Sequence, residues 1–229
     1  MWKTIINLLF PIHCLGCGQE GEFICSSCFG KIEINKKYYF DKTDILKKTI
    51  VAGYHKDELL KQAIYRYKYD FIKDLAKSLG QLMIKKLLED IKRNDLKKFI
   101  LIPIPLHSKR LRWRGFNQAE LLAQVVSQEL NIPVIDNLLI RTKHILPQAK
   151  IKKAFQRRQN IHNVFELKNI NLRTFFTSQG TSSGLLNFKN KIFVLVDDIS
   201  TTGATLKEAA KALNMLKPKQ IWGLVLTKG

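Results

Sequence analysis

The sequence predicts an α/β protein in which helices flank a parallel β-sheet, with a small N-terminal unit built around four cysteines. Two continuous apolar runs, residues 99–105 and 192–196, suit strands that are buried on both faces. These runs alternate with segments of helical periodicity, which is typical of a parallel sheet covered by helices. All four cysteines fall within 15 residues near the N-terminus, apart from the rest of the predicted fold.

The size and composition fit one compact domain with a small appendage. The chain has 229 residues, and its hydrophobic fraction of 45% is sufficient for a real core. We predict a cysteine unit over residues 1–35 and a main domain over residues 36–229. The apolar run in residues 1–11, which we expect to form a short helix, cannot span a bilayer, and no small-residue cleavage site follows it. The expected location is therefore the cytoplasm.

The first half of the main domain has clear periodic signals. A strand is predicted at residues 49–52. Apolar residues then recur at helical spacing over residues 57–92, but an alternating aromatic stretch at Tyr65, Tyr67 and Tyr69 interrupts them. Two helices with a bend are therefore expected before the buried strand at residues 99–105.

The middle of the chain is less regular. Residues 117–130 are typical of an amphipathic helix, and a short strand is expected near Val134 and Ile135. Residues 141–160 are basic, and we expect them to be irregular at first and helical near Ala154.

The C-terminal part repeats the strand–helix–strand order. Residues 169–190, rich in Ser, Thr, Gly and Asn, have the composition of a flexible surface loop. The buried strand at residues 192–196 follows. A helix with Leu206, Ala210, Leu213 and Leu216 on one side then leads to a last strand at residues 221–226.

The cysteines form two Cys-x-x-Cys pairs separated by seven residues. Each pair can present two thiolates to one tetrahedral ion, and the short loop brings the pairs together. We predict a structural Zn²⁺ site with four thiolate ligands and no open position, with Gly16 and Gly18 allowing the tight turns. Two disulfides, redox-active cysteines, an iron–sulfur cluster and His13 as a competing ligand are the less favoured alternatives. The predicted ligands are Cys14, Cys17, Cys25 and Cys28.

The charge is strongly positive, with a formal net charge of +20. Lysine supplies 30 of the 39 basic residues, and that part of the charge is equally consistent with a solvated surface. Arginine is informative because six of only nine lie between Arg110 and Arg158. Clustered arginine in a lysine-rich chain suggests bidentate recognition of phosphate or carboxylate. The overall charge is compatible with a nucleic-acid partner.

Residues 197–205 combine two acids with a small-residue turn into a helix. In open parallel sheets, ligands bind beyond the carboxyl ends of the strands. There, Asp197 and Asp198 can accept hydrogen bonds from ribose hydroxyls or hold Mg²⁺ through water. The hydroxyls of the turn and the backbone N–H groups at the helix N-terminus can bind a phosphate. The alternative is a surface turn in which Asp and Thr only cap the helix, but one capping residue would suffice for that.

This segment resembles the binding motif for phosphoribosyl pyrophosphate (PRPP) in type I phosphoribosyltransferases. In that motif an apolar strand leads into two acids and Thr-Thr-Gly-x-Thr. The resemblance implies a type I phosphoribosyltransferase-like sheet, ribose contacts by Asp197 and Asp198, and Mg²⁺ bound together with PRPP. The implied 5-phosphate ligands are Thr201, Thr202, Gly203, Ala204 and Thr205.

Further segments resemble the ComF family across nearly the whole chain except residues 169–190. The similar segments are Phe10 and Pro11 before the first cysteine pair, Lys68 and Tyr69, residues 102–107, Arg110, residues 114–119, Gln148, Arg157, Asn160 and Phe165.

The ComF resemblance implies roles for residues near the centre of the chain. Leu106, His107 and Ser108 would form the pyrophosphate loop, and Arg110 and Arg114 would contact pyrophosphate or an incoming polyanion. On the acceptor side, an aromatic ring could stack on a base; the residues implied there are Phe116, Asn117 and Gln118. The alternatives are a solvated loop position for His107 and a core position for Phe116.

The same resemblance implies a role in natural competence. The expected ligands are PRPP or a related ribose phosphate and single-stranded DNA, with DNA-uptake proteins as partners at the inner face of the membrane. The chain would lie in the cytoplasm or peripheral to that membrane. The alternative is an active Mg²⁺-dependent phosphoribosyltransferase of nucleotide or base metabolism with an unidentified acceptor. Hypoxanthine-type members place an acidic general base at the position that Thr201 occupies in this chain. A threonine cannot act as that base. We therefore favour the competence role and leave catalytic turnover open.

Overall fold

The computed structural model describes residues 11–37, 39–40, 45–142, 164–168 and 188–229. The described helices are α1 (Ser26–Lys31), α2 (Glu58–Tyr69), α3 (Leu75–Asp90), α4 (Ser108–Arg114), α5 (Gln118–Leu130) and α6 (Ala204–Asn214). The described strands are β1 (Tyr39–Phe40), β2 (Lys48–Val51), β3 (Phe99–Pro103), β4 (Leu139–Arg141), β5 (Phe165–Leu167), β6 (Ile192–Ser200) and β7 (Gln220–Lys228). Within these residues, no helix is long and apolar enough to cross a membrane.

The main sheet has the strand order β1-β2-β7-β6-β3. The four strands β2, β7, β6 and β3 run parallel, and only the two-residue edge strand β1 is antiparallel to its neighbour. The longest pairing joins β6 and β7, from Ile192 opposite Gln220 to Ser200 opposite Lys228. Helix α6 connects these two adjacent parallel strands, so the β6–α6 loop lies at the carboxyl edge of the sheet, where parallel sheets place their ligand sites.

Alternating strand residues face two separate cores, as the period of two along a strand requires. On β6, Val194 and Val196 pack in the core that also contains apolar residues of α2, α3 and α5. Phe193 and Leu195 pack on the opposite face, with α6 and the β4–β5 hairpin. The sheet is therefore covered on both faces, which explains why its central strands are continuous apolar runs.

The predicted fold class is confirmed, and so are most of its elements. The segment from 57 to 92 forms two helices, α2 and α3, with the expected bend between them. Asp57 caps α2 by accepting a hydrogen bond from the backbone N–H of Leu60, and Phe71 in the bend adopts a left-handed conformation with φ of 58°. The predicted helix at 117–130 and the strands near 49–52, 99–105, 192–196 and 221–226 are also present.

Other predictions require correction. The strand expected near Val134 is only an isolated bridge to Leu101, outside any named strand. Arg141, expected to begin an irregular segment, lies instead in β4, where Phe165 of β5 is its partner. Helix α4 was not predicted at all. The expected helices near Ala154 and in residues 1–11, and most of the loop at 169–190, lie outside the described residues. The boundary between residues 35 and 36 stays a prediction.

Candidate functional site

The two acids lie on the C-terminal part of β6. The structure extends this strand to Ser200, beyond the predicted end at residue 196, because pairing with β7 continues through Lys228. Asp197 accepts a hydrogen bond from the backbone N–H of Asp198 (2.8 Å), and Asp198 accepts one from that of Ile199 (2.6 Å). Both carboxylates are thus held by their own backbone at the carboxyl edge of the sheet.

The loop from β6 to α6 has the geometry of an anion-binding turn. Gly203 stands at the N-cap position with φ of 76°, a left-handed conformation that disfavours any residue with a Cβ atom. Gly203 has no side chain to cap the helix, and Thr202 Oγ1 accepts a hydrogen bond from the backbone N–H of Ala204 at 3.4 Å. The first turn of α6 therefore leaves N–H groups for a ligand.

A pocket of about 330 Å³ lies beside these residues. Helix α2 contributes Lys68 and Tyr69 to its wall, α4 contributes Arg110 and Arg114, and β4 contributes Arg141. The predicted site residues that line it are Leu106, Arg110, Arg114, Asn117, Gln118, Asp197, Asp198, Thr201, Gly203, Ala204 and Thr205. Segments far apart in the sequence are thus brought together around one concave surface.

Lys68 is directly paired with one of the acids. Its Nζ lies 2.8 Å from Asp198 Oδ1, and the two side chains are only 17% and 10% exposed. An ion pair with this little solvent contact is weakly screened, so each partner depends strongly on the other. The sequence resemblance pointed to Lys68 and Tyr69, but no pattern in the sequence indicated that the lysine pairs with Asp198.

Burial governs the protonation of the other acid. It raises the pKa of Asp197 to about 7, and the neighbouring Asp198 carboxylate acts in the same direction. Lys68, the backbone N–H of Asp198 and Arg141 oppose this shift. Asp197 therefore changes charge near neutral pH, which is common for carboxylates at functional sites.

The pocket wall carries more positive than negative groups. Its cations are Lys68, Arg110, Arg114 and Arg141, against the two carboxylates. Burial lowers the pKa of each of the three guanidinium groups, although they remain the strongest bases in proteins. A wall with this charge balance suits a ligand with several negative charges.

Three buried N–H groups on this wall have no hydrogen-bond acceptor among the described residues. They are Arg114 Nε, Gln118 Nε2 and Arg141 Nε. Gln118 is only 2% exposed, and its Oε1 already accepts from Arg114 Nη1 at 2.5 Å. Buried donors are normally satisfied, so three orphans around one pocket indicate acceptors supplied by a ligand.

Some predicted residues lie away from the pocket wall. His107 caps α4, because its Nδ1 accepts a hydrogen bond from the backbone N–H of Lys109 at 3.2 Å. Neither His107, Ser108 nor Thr202 belongs to the described lining. Phe116 is 7% exposed and packs in the core, 5.7 Å from the ring of Tyr67, which agrees with the core position that the sequence left open as the alternative. The hydrophobic effect favours this core position over an exposed stacking position.

Asn117 and Arg141 show what the sequence did and did not reveal. Asn117 links the segment after β3 to the start of α5. Its Nδ2 donates to the carbonyl of Ile104 (3.1 Å), and its Oδ1 accepts from the N–H of Ala119 (3.2 Å). Arg141 was noticed only as one of the clustered arginines. That cluster was the available signal, but no motif tied Arg141 to this pocket.

The four cysteines form a second site. Their sulfur atoms lie within 4.8 Å of one another, and those of Cys17 and Cys25 are 3.7 Å apart. Ligands about 2.3 Å from a tetrahedral zinc ion are separated by about 3.8 Å, whereas a disulfide requires about 2.05 Å. The arrangement therefore fits four ligands to one ion, and the cluster could hold a metal.

The backbone around the cysteines supports this arrangement. The N–H groups of Cys25 and Gly16 point at the sulfur of Cys14, at 3.3 and 3.4 Å. Gly16 packs so closely that a Cβ atom there would lie 2.7 Å from the sulfur of Cys28. Only glycine fits at this position without displacing a ligand.

The sulfur atoms influence one another's protonation. Burial raises the pKa of Cys28 to about 12, and hydrogen bonds with Cys17, Cys25 and Cys14 act in the same direction. Burial also opposes ionisation of Cys14, but the N–H groups of Cys25, Gly16 and Cys17 outweigh it and lower its pKa to about 6. Ionisation of one thiol thus opposes ionisation of its neighbours. A bound cation would offset this repulsion between thiolates.

Comparison with known proteins defines the class. Residues 117–228 match the phosphoribosyl transferase domain family, a range that includes Asp197, Asp198 and the β6–α6 loop. The Leishmania donovani hypoxanthine-guanine phosphoribosyltransferase structure aligns with a TM-score of 0.37 at 13% identity, over 67% of this chain and 71% of that chain. The matched range and the strand order of the main sheet define a phosphoribosyltransferase-like α/β fold.

Full-length relatives define the family more narrowly. Competence protein F of Haemophilus influenzae is 32% identical over 94% of this chain and 84% of its own length. Competence protein ComFC of Bacillus subtilis is 30% identical over 92% and 73%, and the DNA utilization protein YhgH of Escherichia coli O157:H7 is 29% identical over 72% and 66%. The chain belongs to the ComF family of competence proteins, as the sequence resemblance predicted.

Proposed function

We propose that this ComF-family chain binds PRPP, or a closely related ribose phosphate, together with Mg²⁺ in the pocket at the end of β6. The observation that carries the proposal is the meeting of two carboxylates, an open helix N-terminus and three orphan N–H donors around one pocket. A ribose offers hydroxyls to the acids, and its phosphates offer acceptors to the donors.

Each group of residues has a distinct task in this proposal. Asp197 and Asp198 accept hydrogen bonds from the ribose hydroxyls, and the loop from Thr201 to Thr205 holds the 5-phosphate. Arg110 and Arg114 contact the pyrophosphate, and Leu106 lines the same part of the pocket wall. Mg²⁺ would neutralise part of the pyrophosphate charge when it is bound. Asn117 and Gln118 remain on the acceptor side of the pocket.

We further propose that this pocket serves natural competence, through the handling of incoming single-stranded DNA. The curated relatives are named for competence or DNA utilization, which supports this role over nucleotide or base metabolism. The arginines at the pocket would contact DNA phosphates. The chain would act in the cytoplasm, or at the inner face of the membrane beside proteins of the uptake machinery.

The chemistry of the pocket also favours binding over base chemistry. Among the described lining residues, the carboxylates are Asp197 and Asp198 alone. Outside the described residues, the sequence contains only two acids, Asp41 and Asp44, which follow the edge strand β1. A purine acceptor needs an acidic or comparable base, and Thr201 cannot serve as one.

We propose Zn²⁺ as the ion of the cysteine cluster. Four thiolates in tetrahedral arrangement are its preferred structural set, and they leave no coordination position for a substrate. The ion would therefore stabilise the fold and take no part in chemistry. Because Cys14, Cys25 and Cys28 are buried in the core that also contains α2 and α3, it would also support the helix that carries Lys68.

Calorimetry with PRPP and Mg²⁺ tests the pocket. The wild-type chain should release heat on binding, and Asp198→Asn should weaken binding at least tenfold because an NH2 donor replaces one of the carboxylate oxygens that would accept from the ribose hydroxyls. Asp95→Asn is the matched control, since this acid, whose side chain is 41% exposed, precedes the amino-terminal end of β3, away from the pocket. Absence of heat with the wild-type chain, or equal binding by Asp198→Asn, would overturn the proposal.

Binding of single-stranded DNA at several salt concentrations tests the role in DNA handling. The double variant Arg110→Ala, Arg114→Ala should weaken binding and reduce its salt dependence, because fewer counterions are released. The control is the double variant Lys92→Ala, Arg93→Ala. It removes two exposed charges that precede the amino-terminal end of β3. If the affinity for single-stranded DNA depended neither on the salt concentration nor on the substitutions at Arg110 and Arg114, the proposal would be contradicted.

A further inference from the structure

Four exposed aromatic side chains form a continuous band beside the pocket. Tyr65 and Tyr69 belong to α2, Phe71 to the bend after it, and Trp113 to α4. Their exposed fractions are 59%, 47%, 36% and 61%. Contiguous exposed aromatic surface is uncommon on a folded protein and marks an interaction site. We call these four residues the aromatic band.

The members of the aromatic band contact one another through rings and one guanidinium group. The rings of Tyr65 and Tyr69 are 5.0 Å apart, and those of Phe71 and Trp113 are also 5.0 Å apart. Arg114 joins the two pairs, with its guanidinium carbon 6.0 Å from the Tyr69 ring and 5.8 Å from the Trp113 ring. Because Tyr69 and Arg114 also line the pocket, the band leads directly into it.

The local fold holds these rings at the surface. Phe71 has φ of 58°, a left-handed conformation that is rare for a bulky residue and persists only where its surroundings impose it. In helix α4, Ser108–Arg114, no residue is buried, and Leu111 is exposed as well as Trp113. A helix without a buried face gains little from packing, so the exposure of its aromatic residue calls for a ligand.

The charge around the band identifies the class of ligand. Residues 65–74 and 108–114 together contain seven Lys or Arg and only two Asp. Flat apolar rings interleaved with cations suit a polyanion that also carries flat apolar groups. Unpaired nucleic acid has this chemistry, since its bases stack on aromatic rings while its phosphates attract arginine. An apolar protein surface would not explain the excess of positive charge.

We propose that the aromatic band stacks the unpaired bases of single-stranded DNA next to the pocket. Trp113 and Tyr69 supply the stacking faces, and Arg114 between them contacts the backbone. The inference rests on the proposed binding of single-stranded DNA and adds the residues that contact its bases. It also assigns to surface residues the stacking role that the buried Phe116 does not fill.

Two DNA probes separate stacking from charge. One is a fluorescein-labelled 12-nucleotide oligothymidylate, and the other is an abasic chain of the same length with the same number of phosphates. Fluorescence anisotropy at one salt concentration should give at least tenfold tighter binding of the probe with bases by the wild-type chain. Trp113→Ala should weaken that binding about tenfold, the expected loss for one stacked base. Binding of the abasic probe should change less than twofold.

Two further variants control for folding and for aromatic character. Trp113→Phe retains a ring and should keep binding of the oligothymidylate within threefold of wild type. Phe40→Ala removes an aromatic residue that is 70% exposed on the edge strand β1, at the other end of the strand order from β3. It should change the affinity for neither DNA probe. Thermal unfolding should show the same midpoint for wild type and Trp113→Ala, because Trp113 contributes little to the core.

The outcomes distinguish failure of this inference from failure of the proposed function. If the wild-type chain binds both probes equally, or if Trp113→Ala leaves oligothymidylate binding unchanged, the band does not stack bases, although DNA binding stands. In the second case the band would serve another partner, such as a protein surface. Equal losses for both probes in Trp113→Ala would also overturn stacking. If the wild-type chain binds neither probe, the proposed DNA binding fails with it.

Discussion

The cysteine cluster and the pocket at the end of β6 are assembled in opposite ways. All four cysteines of the cluster lie within residues 14–28, and the backbone N–H groups of Gly16 and Cys25 donate to the sulfur of Cys14. The pocket instead draws on helices α2, α4, α5 and α6 and on strands β4 and β6, and its lining residues run from Lys68 to Leu206. A local site depends on a few short-range contacts, whereas a distributed site depends on the whole sheet. The two sites should therefore respond differently to mutation.

The largest effect is expected from loss of a cysteine ligand. Cys28→Ser should abolish stoichiometric zinc and lower the free energy of unfolding by more than about 3 kcal/mol, since a structural zinc ion contributes directly to folding. Elemental analysis and urea unfolding measure the two quantities. The control is Ser27→Ala, an exposed neighbour that should stay within about 0.5 kcal/mol of wild type. If the wild-type chain contained no zinc and had the same free energy of unfolding as Cys28→Ser, the prediction would be contradicted.

The next effect concerns the ion pair that joins α2 to β6. In a double-mutant cycle, Lys68→Met and Asp198→Asn should show a coupling energy of about 2 kcal/mol, because neither group is well solvated. Urea unfolding of the two single variants and the double variant measures it. The pair of Lys61 with Glu58 is the control, since these side chains are 54% and 72% exposed and should couple by less than about 0.5 kcal/mol. Equal coupling in the two cycles would show that the pocket pair is solvated.

A smaller effect of opposite sign is expected at Asp197. Its pKa of about 7 in the folded chain exceeds the ordinary value of 3.8, so ionisation of this group weakens the fold as pH rises from about 4 to 7. Asp197→Asn should therefore increase stability by about 1–2 kcal/mol at pH 8 and by little at pH 4. Urea unfolding across this pH range gives the comparison.

Asp95→Asn provides the contrast for Asp197. Hydrogen bonding to Lys98 lowers the pKa of Asp95, so its ionised form favours the fold above the ordinary pKa, and its replacement should bring no gain at pH 8. A pH-independent effect of Asp197→Asn would mean that the carboxyl titrates normally.

The smallest effects are expected from two glycines. Gly203→Ala should cost about 1 kcal/mol because of its left-handed conformation, and it should also weaken PRPP binding. Gly30 in α1, near the cysteine cluster, has open space around it and an ordinary φ, so Gly30→Ala should stabilise the chain by up to about 1 kcal/mol. Thermal unfolding measures both changes. Gains in both variants would argue against the constrained loop at Gly203.

The contrast between the two sites also explains how well each could be predicted. The spacing of Cys14, Cys17, Cys25 and Cys28 was enough to predict a cluster, because ligands so close along the chain have few other arrangements. The acids and the Thr201–Thr205 turn were predictable for the same reason, since a short strand–turn–helix segment determines its own geometry. Phe116 was less predictable, because an aromatic residue at a helix start is compatible with either core or surface.

The sequence by itself determined the local chemistry of this protein: the four-cysteine cluster, the two carboxylates and the small-residue turn before α6. It also determined the alternation of buried strands and amphipathic helices, since burial depends mainly on the periodicity of apolar residues. Only the tertiary structure decided which distant residues meet these local motifs. The pairing of Lys68 with Asp198, the entry of Arg141 into the pocket and the contact of Arg114 with Tyr69 and Trp113 all depend on how helices pack on the sheet. Such contacts leave no periodic signal, because the distance along the chain between two side chains does not determine their distance in space.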